Sequence, residues 1–327
     1  MNRRISHLIA YVAAMFALIA WQLIFAYLPG LQSLSNFHSD IVYSLVAQIL
    51  CMGLVPFVCL LVTNRCTFRE VFAPMRYKAP RDTRTCALVT LGLVLLIMPF
   101  TMAWSSITQL VFNIFGYKRP VASGTIYTGA GDFFLCLVIT ALLPAVFEDF
   151  SHRGVLLSGL ECRSSERGAV LLSAVLFGLM HESPAQMIYA TMGGIVFSYV
   201  VIKTDSIIPA MCAHFANNAF STLLDYSRQT QNSLGVWYDS VNSGSTLSVI
   251  VTLAILAGSL YAVYKLLQYA SSKSPKPITE GKLLGLISVD VYNPEGKATL
   301  KDNALLYAVI AMQSAVLLWL FLWGIIR

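Results

Sequence analysis

DFFLCLVITALLPAVFEDFSHRGVLLSGL, residues 132–160, decides how the chain is read. The run is apolar and long enough to cross the roughly 30 Å hydrocarbon layer of a bilayer as a helix rising about 1.5 Å per residue. Yet it carries Glu148, Asp149, His152 and Arg153. A charge at mid-bilayer costs roughly 2.5–3.5 kcal/mol on insertion scales. Working outward, the next apolar runs add His181, His214, Asn217 and Asn218. The runs near 8–28, 42–63, 86–113, 247–264 and 304–326 carry no formal charge at all. A chain that accepts this cost in neighbouring helices and nowhere else is building a polar site inside the membrane.

Composition agrees. Of the 327 residues 57% are hydrophobic and only 12% charged, where a soluble domain carries about 25% charge. Nine apolar stretches can be counted, at 7–28, 42–63, 86–113, 132–160, 168–182, 184–202, 206–226, 247–269 and 304–326. The expected fold class is all-α, a polytopic transmembrane helix bundle of about nine spans with its polar core in the fourth to seventh. The fifth stretch is short and turns tightly into its partner at Glu182, Ser183 and Pro184. If that 168–202 pair is re-entrant, the count is eight. The first run, after Arg3 and Arg4, exceeds the 7–15-residue apolar core of a secretory signal and is read as an uncleaved span.

Orientation follows from the basic residues. With a cytoplasmic N-terminus, seventeen Lys and Arg fall in inside segments and four (Lys118, Arg119, Arg228 and Arg327) outside. The expected localisation is a multi-pass integral membrane protein, in a bacterial cell membrane. Its net charge of +6 then reflects topology and contact with anionic lipid at the cytoplasmic face, and needs no nucleic-acid partner. Seven cysteines, in spans or on the cytoplasmic side, lack metal-type spacing and read as buried small residues. Three zones result: spans and a basic loop over 1–131, a polar-cored block over 132–226, and a back part over 227–327. The back part includes a cytoplasmic segment, 271–302, in which 286–292 is a candidate strand or hairpin. Oligomeric state is left open.

Helical spacing sorts the polar groups. Asp149 and Arg153 lie four apart, share a face, and can pair to lower each other's insertion cost. That leaves Glu148 without this cation, suited to act as a general base, with His152 four residues on as a candidate hydrogen-bond partner. A structural charge cluster tying helices together is the competing reading. His181 closes the stretch Phe177 to His181. His181 and Glu182 suggest the zinc-protease pattern HExxH, which fails because Ala185 stands where the second histidine must be and Pro184 breaks the face. His214 and Asn218, one turn apart, offer two donors for a developing oxyanion, or ordinary interhelical hydrogen bonds. Depth joins them: counted from the cytoplasmic ends of their spans, Glu148, His181 and His214 lie roughly 18, 21 and 15 Å up. Gly129, Ala130, Gly131 and Asp132 match the GxGD pattern of aspartyl intramembrane proteases, but the only Tyr-Asp pair, Tyr238 and Asp239, falls later, in an outside loop.

Glu148 and Asp149 with Arg153, then Phe177 with His181, then His214 with Asn218, resemble the motifs EExxxR, FxxxH and HxxxN of the CAAX protease and bacteriocin-processing (CPBP, or Abi) intramembrane proteases, in order. The likeness covers about 145–220, and departs in having Asp149 for the second glutamate. It implies a peptidase in which Glu148 and His181 activate water, His214 and Asn218 stabilise the oxyanion, and Asp149 and Arg153 hold the helix geometry. The family is often labelled metalloprotease, so Glu148, His181 and His214 are alternative ligands for Zn²⁺; a mechanism with no tightly bound metal is favoured. The implied partner is a membrane-associated peptide or protein substrate, lipidated (CAAX-like) or a secreted-peptide precursor. A transporter or proton-coupled channel, or a silent immunity or interaction protein, are the alternatives.

Overall fold

The computed structural model describes residues 3–28, 36–65, 67–78, 82–114, 116, 127–162, 164–181, 183–241, 245–273 and 300–326. The candidate strand at 286–292 lies outside the described residues. Those described form helices and no strand, as expected where lipid offers backbone groups no partner. The helices are α1 (Arg3–Tyr27), α2 (36–64), a short α3 (Phe68–Phe72), α4 (Thr83–Ile114), α5 (Ala130–Leu160), α6 (Glu166–Met180), α7 (Pro184–Thr204), α8 (Ile208–Gln229), α9 (Ser233–Val241), α10 (Thr246–Lys273) and α11 (Leu300–Ile326).

Six of them, α1, α2, α4, α5, α7 and α10, are long and apolar enough to cross a membrane. The other expected spans differ for physical reasons. α6 has 15 residues, about 22 Å of helix against the roughly 30 Å needed, which suits the re-entrant pairing. α8 has the length, but His214, Asn217, Asn218 and Asp225 dilute its hydropathy. α11 contributes a shorter apolar stretch, Leu306–Trp319.

α5 lies at the centre, against α1, α2, α6 and α8; α10 packs on α4, and α6 on α7. Small residues allow the closest approaches. A Cβ on Gly178 of α6 would overlap Thr191 of α7, and one on Gly194 would come within 2.9 Å of Ala174.

α2 and α5 are not uniform α-helices. α2 is π-helical over Val46–Leu54, and α5 over Leu137–Leu142 and again over Phe150–Leu156. The first two tracts end two residues before a proline, Pro56 and Pro144. A proline ring crowds the carbonyl four residues back and donates no hydrogen bond, and a widened turn accommodates both defects. The third tract has no proline after it and contains His152 and Arg153. Single-turn π segments gather at functional sites.

At one end of the bundle Arg76 reaches both oxygens of Glu161 (2.6 and 2.9 Å) and Oδ1 of Asp205 (3.1 Å), while Lys78 pairs with Asp205 at 2.7 Å. This joins the loop after α3 to the ends of α5 and α7, on the side that the charge count reads as cytoplasmic. Two of its basic residues are therefore engaged by acids of the protein itself. The first helix corrects the sequence reading in one respect. Arg4 lies within α1, buried, and donates to the Leu160 carbonyl at 3.1 Å.

Candidate active site

Asp149 and Arg153, one turn apart on α5, are both fully buried and joined at 2.6 Å. The guanidinium carbon of Arg153 lies 3.9 Å from the centre of the Phe177 ring on α6 and 5.4 Å from that of Phe197 on α7. An aromatic face attracts a cation most strongly where water is excluded. The ion pair is thereby wedged between helices as well as closed within one.

Glu148 points elsewhere. Its Oε1 accepts a hydrogen bond from Gln48 Nε2 of α2 at 2.8 Å, and its Oε2 lies 3.8 Å from His214 Nε2 of α8. The other nitrogen of His214 is 3.5 Å from Asp149 Oδ1. The His214 ring thus stands between two carboxylates, stacked on Phe197 and edge-on to Phe177.

His181 caps the C-terminal end of α6, with Nδ1 2.8 Å from the Phe177 carbonyl. A carbonyl only accepts, so Nδ1 carries the proton and a neutral ring leaves Nε2 with a free lone pair. His181, His214, Asn217 and Asn218 line one cavity of about 30 Å³, completed by apolar and aromatic side chains of α4, α6 and α7. That volume holds a water molecule. Glu148 is outside this wall and reaches it through His214.

Asn218 is oriented by its neighbours. The Thr101 hydroxyl lies 2.6 Å from Asn217 Oδ1 and 2.8 Å from the Ile97 carbonyl, and has one proton to give. With that proton on the shorter contact, Asn217 Nδ2 donates to Asn218 Oδ1 at 3.1 Å. The Nδ2 of Asn218 is then left for the cavity.

The structure therefore brings Glu148, His181, His214 and Asn218 to one place, with Asp149 and Arg153 beneath. His152 is the exception. It bonds to the backbone carbonyl of Glu148 (3.1 Å), not to its carboxylate, and its Nε2 meets the Tyr11 hydroxyl of α1 at 3.2 Å. The π-helical turn that holds His152 aims it into the α1 interface, away from the cavity. Asp132 and Asp239 do not enter the site: Asp132 accepts from Thr128 and Asp239 pairs with Arg228, both exposed.

Among the described residues no three His, Cys, Asp or Glu groups are grouped to hold a metal ion, and Glu148 Oε1 is engaged by an amide. Sequence reading missed Gln48, Tyr11 and Thr101. Each is an uncharged polar residue in an apolar run, with no spacing signal to mark it.

Residues 130–220 match the family model of the Rce1-like type II CAAX prenyl endopeptidases. That match supports the CAAX protease (CPBP) family likeness over this segment, which is less than half of the chain. No curated protein and no solved structure matches the chain.

Proposed function

We propose that this protein is an intramembrane endopeptidase acting on membrane-associated substrates, lipidated (CAAX-like) proteins or secreted-peptide precursors, with its N-terminus in the cytoplasm of a bacterium. The observation that carries the proposal is a water-sized cavity lined by His181 of α6 and by His214 and Asn218 of α8, with Glu148 of α5 3.8 Å behind His214. Glu148, aided by the free Nε2 of His181, takes a proton from water as the oxygen attacks the peptide carbonyl, and gives it to the amine nitrogen as the intermediate collapses and the C–N bond breaks. Asn218 donates through Nδ2 to the oxyanion. His214, held between Asp149 and Glu148, donates to the oxyanion from Nε2 in the tautomer that carries its proton there. The 3.8 Å gap between His214 and Glu148 exceeds hydrogen-bond length and closes around a shared water or by a small side-chain shift. Arg153 holds Asp149, and so the helix that presents Glu148.

All of these steps use side chains and water alone. The test is purified protein in detergent with membrane-extracted candidate substrates. Cleavage is expected from the wild type and a loss of roughly 10²–10⁴-fold in Glu148→Ala and in His181→Ala. Glu148-dependent solute flux in liposomes, without cleavage, would replace this reading with transport.

A further inference from the structure

Glu148 is held from outside the matched segment. Gln48, in the π-helical tract of α2, donates from Nε2 to Glu148 Oε1 at 2.8 Å. The partner atom of the same amide, Gln48 Oε1, is buried without a hydrogen bond. An apolar side chain at 48 would bury no such orphan. An orphaned buried carbonyl is costly, so the bond to Glu148 is the one thing this amide gains by its place. An ionised carboxylate only accepts, which sets the amide with its nitrogen toward Glu148.

The packing that allows the contact is specific. Gly53, a little more than one turn along α2, lies against the Phe147 ring, where a Cβ would come within 2.6 Å. α2 can therefore approach the residue preceding Glu148 closely. The other charged or titratable groups around Glu148 are Asp149, His152 and Arg153 on its own helix, His181 of α6 and His214 of α8. Gln48 is the uncharged donor among them.

We propose that Gln48 is a positioning residue: it binds one oxygen of Glu148, fixes the orientation of that carboxylate, and leaves Oε2 as the oxygen that works toward His214 and the cavity. This rests on the proposed role of Glu148 as the base. It does not need a substrate to be tested.

The experiment is an infrared difference spectrum of the full-length protein in lipid vesicles at one fixed pH, following the carboxylate stretch that Glu148→Gln removes. A carboxylate oxygen that loses a charge-assisted hydrogen bond stretches at a different frequency, so the band should shift in Gln48→Met, an isosteric change, and in Gln48→Leu, which also lacks the donor. A shift in each variant that folds supports the assignment. A band at the wild-type position in Gln48→Met overturns it, and so does an unmoved band in Gln48→Leu, which decides the matter if Gln48→Met does not fold. Cleavage reads the other claim separately. A protein whose band shifts as expected but that cleaves nothing refutes the peptidase, not the contact.

Discussion

The matched segment and the front helices meet at the same carboxylate but bring opposite kinds of group to it. Residues 130–220 supply charges and imidazoles, and these solve their burial largely among themselves: Arg153 with Asp149, and His214 between Asp149 and Glu148. Around this carboxylate α1 and α2 supply groups without formal charge, Tyr11 to His152 and Gln48 to Glu148, while the Arg4 cation of α1 lies at the far end of α5. The difference teaches where each kind can be placed. A charge in lipid needs its counter-charge at hand, so it comes with a partner one turn away. A neutral donor costs less to bury and can arrive alone from a distant part of the chain.

The comparison is broken most severely at its charged side. Arg153→Ala leaves Asp149 as a buried charge without its cation and should cost about 3–5 kcal/mol of stability. Folded yield and thermal midpoint in detergent measure it; unchanged values would mean that the pair is not what tolerates the buried acid. The neutral side should respond less. Tyr11→Phe removes one hydrogen bond to His152 and should lower stability by about 1 kcal/mol, with an effect that largely disappears in a His152→Phe background. Additive losses would show that the two do not act together. The smallest effect should come from outside both regions. Asp132→Asn touches an exposed residue bonded to Thr128 and should change stability by less than about 0.5 kcal/mol, with activity retained. Lost activity would revive an aspartyl mechanism.

The same contrast explains what was legible in the sequence. Glu148, Asp149, Arg153, His181 and His214 stand out because formal charge and imidazole are rare in apolar runs, and the heights of Glu148, His181 and His214 along three helices agree. The helical class followed from hydropathy alone. Gln48 and Tyr11 were hidden, since a single amide or phenol in a span is ordinary. Their importance depends on which helix packs against α5. The orientation of His152 was misread for another reason. Four-residue spacing presumes a regular α-helix, and the turn over Phe150–Leu156 is π-helical, so the ring leans into α1 and its partner on Glu148 is the backbone. The short α6 was legible as an apolar run of marginal length, but the placing of His181 at its end was not. It depends on the turn before Pro184 and on the close packing at Gly178.

The central claim is that Glu148 activates a water and His214, from a separate helix, stabilises the oxyanion that forms as a peptide bond is cut. Its most direct test compares the protein termini of host-cell membranes carrying equal amounts of folded wild-type, Glu148→Gln or His214→Ala protein. The account predicts a set of internal cleavage ends present with wild type and absent with both variants. Identical termini in all three would contradict it.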